Sequence, residues 1–287
     1  MYIILGGTGH IGSALSRLLL EAGHKVTVVT HDRSKVAQIE QTGAQAAVTD
    51  IMNTAALHKI FTQGKRLFLL NPPAAPSTDT AETERQSLLS IFKSMEQSGL
   101  EKIVAESTYG AQEGENIGDL GILYEMEEAL ELQQVPYSFM RGAYYFSNWD
   151  MALETAQKEG RVYSFYPSGF SLPMVAPADI AQLAFELLTQ DETAKGPHNI
   201  TGPKDYTPND VAAAFTNALG KPVEVAEIPE DQWIPQLKKA GYSEKAAQSM
   251  ANMTRLTLKQ LGEIPQNPTR GTTKLEAYIA DLVRSKS

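Results

Sequence analysis

"GGTGHIG" (residues 6–12) places Gly6, Gly9 and Gly12 at a G-x-x-G-x-x-G spacing, directly after the apolar run Tyr2 to Leu5. Behind it Ile11, Ala14, Leu15, Leu18, Leu19 and Ala22 repeat at helical spacing up to Gly23, a helix stop. Strand, glycine turn and helix in that order bring backbone N–H groups and the positive helix end against a pyrophosphate, because glycine permits a tight turn and a close approach. A plain glycine turn could have the same spacing. The flanking strand and helix, and a second strand "KVTVVT" (25–30) at the right distance, decide for nucleotide binding.

Outward from this turn, short apolar runs at 44–50, 66–71, 102–107 and 136–141 read as further strands, and 34–41, 54–61, 80–98 and 121–133 as helices. The alternation predicts an α/β fold, a Rossmann-type doubly wound parallel sheet with right-handed crossovers. After about residue 145 the rhythm changes. Helical stretches at 149–158, 177–190, 207–219, 243–261 and 272–285 are interleaved with Pro/Gly connections and strand-like pieces such as "HNIT" and "VEVAEI". We expect an NAD(P)-binding Rossmann domain over 1–145 and a smaller, mainly helical substrate lobe over 146–287, with the chain free to cross between them. In "YTPNDVAAAFTNALG", Thr207 can N-cap a helix, Pro208 suits its first position and Gly220 ends it.

Composition narrows the function. The chain has 287 residues, 25 Lys+Arg against 34 Asp+Glu and a net charge of −9, with no basic block. That disfavours a nucleic-acid or anionic-membrane partner. Without cysteine there is no disulfide, thiolate nucleophile or Cys-based metal site. No segment approaches the ~20 apolar residues of a membrane helix, and the start lacks a signal peptide's basic region. The expectation is a soluble, cytoplasmic protein acting on a small-molecule substrate. The histidines never pair at zincin spacing, and no G-x-S-x-G elbow or P-loop occurs, so neither metal nor serine-hydrolase chemistry is supported.

The second strand ends in "VTHDRSK" (29–35), where an adenosine ribose should sit. NAD-selective sites place a carboxylate at this strand end; NADP sites supply cations instead. Here the strand-end residue is Thr30, followed by His31, Asp32, Arg33 and Lys35. Asp32 could reach the ribose if the strand ran two residues further, and Arg33 and Lys35 could be a solvated turn. The balance favours NADP(H) over NAD(H).

Together "GGTGHIG", "TDIMN", "FLLNPP", "VPYSFMRGAYYFSNW" and "GPHNITGPKDYTPNDVAAAFTNALGKPVEV" resemble the NmrA-like branch of the atypical short-chain dehydrogenase/reductases. Within it the chain looks closest to bacterial NADPH-dependent quinone oxidoreductases and triphenylmethane reductases. The resemblance implies a Rossmann domain with a small C-terminal α/β lobe, and NADP(H) as cofactor. It assigns Gly6, Thr8, Gly9, His10, Ile11 and Gly12 to the pyrophosphate loop, Asp50 and Ile51 to the adenine, and Asn71, Pro72 and Pro73 to the nicotinamide ribose. Ser107 and Thr108 match a strand end where many relatives place a serine. Relatives commonly carry Arg where this chain has His31, so the 2′-phosphate falls to Arg33, Lys35 or a protonated His31.

A second departure lies in "LYEMEEAL" (123–130). Orthodox relatives use a Tyr to protonate the nascent alkoxide and a Lys four residues later to lower its pKa. Here Tyr124 is followed at that spacing by Glu128, which disfavours the phenolate, and Leu123 occupies the Lys position of some NmrA-like reductases. Tyr124 reads as a helix tyrosine packing on the sheet, which leaves no catalytic residue assigned. In "GAYYFSNW" (142–149), Tyr144, Tyr145 and Phe146, with Trp149, either line the space beside the nicotinamide or seal the join between lobes, and both uses are compatible. The expected function is an NADPH-dependent oxidoreductase passing hydride to an electron-poor planar acceptor such as a quinone or dye-like compound. A non-catalytic NADP(H) sensor of the NmrA type is the alternative. A sugar-nucleotide epimerase would need the missing Tyr and Lys.

Overall fold

The computed structural model describes residues 1–191, 195–259 and 265–286. Its first half alternates as expected: β1 (Tyr2–Ile4), α1 (His10–Glu21), β2 (Val26–Thr30), α2 (Val36–Gln41), β3 (Gln45–Val48), α3 (Thr54–Phe61), β4 (Arg66–Leu69), α4 (Thr80–Met95), β5 (Lys102–Thr108), α5 (Asp119–Glu131) and β6 (Tyr137–Gly142). The second half holds β7 (Tyr144–Tyr145), α6 (Ala152–Glu159), β8 (Arg161–Ser164), β9 (Leu172–Val175), α7 (Pro177–Thr189), β10 (Pro197–Thr201), β11 (Asp205–Tyr206), α8 (Pro208–Leu219), β12 (Glu224–Glu227), α9 (Glu230–Lys239), α10 (Glu244–Leu258), β13 (Thr269–Arg270) and α11 (Leu275–Lys286).

Eight strands form one parallel sheet in the order β13-β10-β6-β5-β4-β1-β2-β3. Its central strands are apolar on both faces because helices cover both. On one face Ile4, Val28, Phe68, Val104 and Met140 pack against Leu15 and Leu19 of α1 and Ile180 and Ala184 of α7. On the other, Ile3, Leu67, Ile103 and Phe139 meet Leu57 and Phe61 of α3, Leu88 and Ile91 of α4 and Met126 of α5. A third core around Phe146, Tyr206, Phe215 and Ile279 belongs to the small lobe, with its β11-β9-β7 and β12-β8 sheets.

The division expected at residue 145 is crossed repeatedly. The chain leaves the main sheet after β6, returns with α7 and β10, leaves again, and returns with β13. "HNIT" therefore extends the main sheet beside β6. The helix expected at 34–41 is a 3-10 turn, Arg33–Lys35, followed by α2, because Asp32 caps the turn by accepting from Ser34 N. The one expected at 149–158 is a 3-10 turn, Phe146–Trp149, followed by α6. Thr207, Pro208 and Gly220 bound α8 as expected, through a capping box with Asp210 and a left-handed Gly220. Residues 260 and 261, expected to end a helix, lie outside the described residues.

Among the described glycines, Gly12 makes the closest approach to backbone atoms. A Cβ there would lie 2.3 Å from the Gly6 carbonyl oxygen, and its neighbours are backbone atoms with nowhere to move. Gly12→Ala should therefore lower the melting temperature by several degrees and weaken nucleotide binding together, whereas the exposed Arg17→Ala should do neither. Thermal melts and nucleotide titrations on the two variants check this.

Candidate active site at the carboxyl edge of the sheet

The expected cofactor residues lie along the carboxyl ends of β3, β2, β1, β4 and β5. Gly9 caps α1 without any side-chain hydrogen bond, so the N–H groups of the first turn keep no partner within the helix. The backbone cradle around Gly12 and the uncapped helix end fit a pyrophosphate. His10 Nε2 stands 3.3 Å from Asp150 Oδ2, and the Tyr278 hydroxyl donates to the other Asp150 oxygen at 2.8 Å. Burial pushes the Asp150 carboxyl above its ordinary range, with Tyr278 and His10 opposing. The glycine turn is thereby tied to α11 of the small lobe.

At the ribose end the strand stops at Thr30, whose Oγ1 accepts from Asp32 N at 3.1 Å. Asp32 Oδ1 accepts from Ser34 N at 2.8 Å and Ser34 Oγ at 2.7 Å, and these bonds hold its pKa low. The carboxylate that could have argued for NAD is thus committed to its own turn. His31, Arg33 and Lys35 are exposed, and Arg33 and Lys35 form no ion pair among the described residues. Asp50 accepts from Met52 N at 2.9 Å, while Ile51 packs on the second face of the sheet and its carbonyl accepts from Ser90 Oγ at 2.7 Å.

Asn71, Pro72 and Pro73 follow β4. Asn71 Nδ2 donates to the Glu84 carbonyl at 3.3 Å, and its buried Oδ1 has no partner among the described residues. Ala74 N donates to Glu84 Oε1 at 2.9 Å, so a single α4 residue holds this loop at both ends. Glu84 is 6% exposed. Burial, and next the charge of Asp119, push its carboxyl up to about 7. Asp119, in the first turn of α5, is pushed up too, first by the protein around it, although its surface stays open to solvent. Because solvent screens Asp119, the larger perturbation is assigned to the buried Glu84.

The last expected residues separate. Ser107 is 0% exposed and donates to Glu127 Oε1, which also accepts from Arg141 Nε at 2.9 Å; Arg141 Nη2 reaches Glu127 Oε2 at 2.6 Å. Its hydroxyl is spent inside the layer between sheet and α5. Thr108 is half-buried, and among the described residues its hydroxyl bonds only the Tyr109 carbonyl, at 3.3 Å. Of the three aromatic residues, Phe146 is a correction. It is 0% exposed, its ring centroid 5.4 Å from that of Tyr206 and 5.6 Å from that of Tyr278, inside the small lobe. Tyr144 is half-buried between Trp149 and Tyr166, at 6.0 and 5.8 Å. Tyr145, also half-buried, donates its hydroxyl to Glu106 Oε1 at 2.7 Å. On α5 the Glu128 charge pushes the Tyr124 phenol up, as its spacing implied.

Glu84, Glu106, Asp119 and Asp150 were not singled out from the sequence. Two left a signal: Glu106 is a lone acid inside the apolar run "KIVAEST", and Glu84 shares the helical stripe of Leu88, Ile91 and Met95. An open hollow of about 730 Å³ on the small lobe, lined by Ser168, Asn209, Thr216, Asn217, Glu224 and Glu227, contains none of these residues.

A glycine turn of this geometry at the carboxyl edge of such a sheet defines a nucleotide-binding, Rossmann-like protein. The chain belongs to the NmrA-like family, which matches it over residues 2–279. Among curated proteins it is 24% identical to the NAD(P)H azoreductase of Xenophilus azovorans, over 87% of this chain and 85% of that one. Among solved structures it resembles the triphenylmethane reductase of Citrobacter sp., with a TM-score of 0.81, 18% identity and 99% of each chain covered. It also resembles the NADPH-dependent quinone oxidoreductase of Escherichia coli complexed with NADPH, with a TM-score of 0.77, 19% identity and 98% and 99% covered. No described helix is long and apolar enough to cross a membrane.

Because the Glu84 and Glu106 carboxyls are raised to about 7 and about 8, the folded chain binds more protons than the unfolded one above the ordinary carboxyl range. Their contribution to stability is present in full at low pH and is lost as pH rises through those values. Melting temperature should fall between about pH 5 and pH 8, and Glu84→Gln should flatten the lower part of that slope. A series of thermal melts in matched ionic strength measures it.

Proposed function

We propose that the protein is an NADPH-dependent oxidoreductase that reduces electron-poor planar acceptors such as quinones and dye-like compounds. The observation that carries this reading is the ribose turn beside the pyrophosphate cradle. Asp32 is consumed by Ser34, while Arg33 and Lys35 stand exposed without carboxylate partners, an arrangement suited to a 2′-phosphate. The family and the dye, azo and quinone reductases it resembles support the same class.

The bound nicotinamide supplies the hydride, and the chain supplies its placement. Backbone N–H groups over Gly6 to Gly12 hold the pyrophosphate, with Thr8, His10 and Ile11 in the same turn. Asp50 and Ile51 would flank the adenine, and Asn71, Pro72 and Pro73 would border the nicotinamide ribose, with Thr108 at the neighbouring strand end. Tyr144 and Tyr145 offer ring faces to a flat acceptor and help exclude water. Tyr124 takes no part, since its neighbour Glu128 opposes the phenolate.

Two measurements test this. NADPH should bind more tightly than NADH, and Arg33→Ala should weaken NADPH by about tenfold to a hundredfold while sparing NADH, the span that one charge-assisted phosphate contact is worth. Equal affinities would reduce the basic turn to a solvated loop. In an acceptor screen with quinones and cationic dyes, Tyr124→Phe should keep most of the activity, where loss of a true general acid costs ~10²–10⁴-fold. Tight NADPH binding with turnover on no acceptor would favour the sensor instead.

A further inference from the structure

Among the described residues, Glu106 is the one carboxyl buried inside the sheet. It is 4% exposed on β5, on the face covered by α7. One of its oxygens accepts the Tyr145 hydroxyl at 2.7 Å; the other, Oε2, is buried with no partner among the described residues. On β6 Glu106 pairs with Met140, and two residues further on is Gly142, where a Cβ would come within 2.8 Å of Glu106 Oε1 and 2.9 Å of Tyr145 Cε1. α7 meets this spot with Ile180, which is apolar, and the other acid acting on Tyr145 is Asp119 at the start of α5. A packing hydrogen bond for Tyr145 would be met as well by an amide, without a carboxyl buried away from water at a cost. The neighbouring strand β4 leads into Asn71, so the pair stands one strand from the loop given to the nicotinamide ribose.

We propose that Tyr145 is the proton donor to the reduced acceptor and that Glu106 is the buried acid that reloads it. This rests on the oxidoreductase reading above. When a quinone takes a hydride from NADPH, two electrons and one hydrogen arrive and a hydroquinone monoanion results. The Tyr145 hydroxyl turns from Glu106 Oε1 to the oxyanion and its O–H bond breaks as the proton transfers, while the Glu106 proton, carried on Oε1 at 2.7 Å from the phenolate oxygen, passes to that oxygen. Water restores Glu106 after product leaves, so the sum is quinone, NADPH and one proton giving hydroquinone and NADP⁺. Burial pushes the Glu106 carboxyl up to about 8, so it carries a proton at neutral pH.

A cationic triphenylmethane dye is neutralised by hydride alone and needs no proton, which makes it an internal reference. In Tyr145→Phe the ratio of quinone to dye kcat/KM should fall by about tenfold or more. In Glu106→Gln, which is nearly isosteric and keeps the test open if Tyr145→Phe fails to fold, the quinone rate should lose its decline as pH rises through about 8. On the cofactor-free protein, infrared spectra should show a protonated-carboxyl C=O band that titrates near that pH and disappears in Glu106→Gln. An unchanged ratio in an active Tyr145→Phe enzyme, or no such band, overturns the relay. Wild-type protein that reduces neither acceptor overturns the oxidoreductase reading itself, a result distinct from the other two.

Discussion

The backbone of α1 passes the turn after β1 with no room for a side chain at Gly12, and the site depends on that contact. It holds an uncapped helix end against the edge of the sheet, where the first-turn N–H groups have no competing side chain. The opposite flank of α1 packs along α7, a helix that the chain reaches only after it has begun the small lobe. The seat for a pyrophosphate is therefore braced by both halves of the sequence. Asp150 adds a second brace by joining His10 to Tyr278.

At the ends of β5 and β6, strand alternation sends adjacent residues to opposite faces, with opposite consequences. Ser107 and Arg141 turn toward α5 and bond Glu127, while Glu106 and Gly142 turn toward α7 and meet Tyr145. The Glu127–Arg141 pair, with side chains 5% and 16% exposed, is closed and bidentate. Removing one member would leave a charge stranded at a cost of about 3–5 kcal/mol, so it is read as an anchor for α5. The Glu106–Tyr145 pair is open by contrast, with one oxygen unengaged. That difference separates a structural polar contact from one suited to moving a proton.

Elements with a clear period were legible in the sequence. The strand, turn and helix from Tyr2 to Glu21 and the punctuated helix from Pro208 to Leu219 needed only local chemistry. The two-residue strands β7, β11 and β13 are too short to show alternation, and α9 carries Pro235 in its interior, so neither left a readable pattern. At the site, residue types pointing at the cofactor were legible because glycine spacing and strand ends are sequence properties. Which face a strand-end side chain takes was not. Ser107 and Phe146 were expected at the cofactor and the acceptor and lie in packed interiors instead, while Glu106, one residue from Ser107, faces the opposite side. Glu84 and Asp119 meet only because α4 and α5 pack together, a long-range fact that no local window contains.

The returning strands bear on how the chain folds as it is synthesised. When β6 has emerged, one edge of the main sheet is unpaired and the face that α7 will cover is apolar and open, since β10 and α7 come later. Non-local parallel pairing of this kind is slow, and an unpaired strand edge is a template for another chain. The first 145 residues hold every residue proposed to contact the cofactor, yet released alone they would be expected to associate rather than stand as a working module. Fragments meant to carry nucleotide binding should therefore run at least through β10.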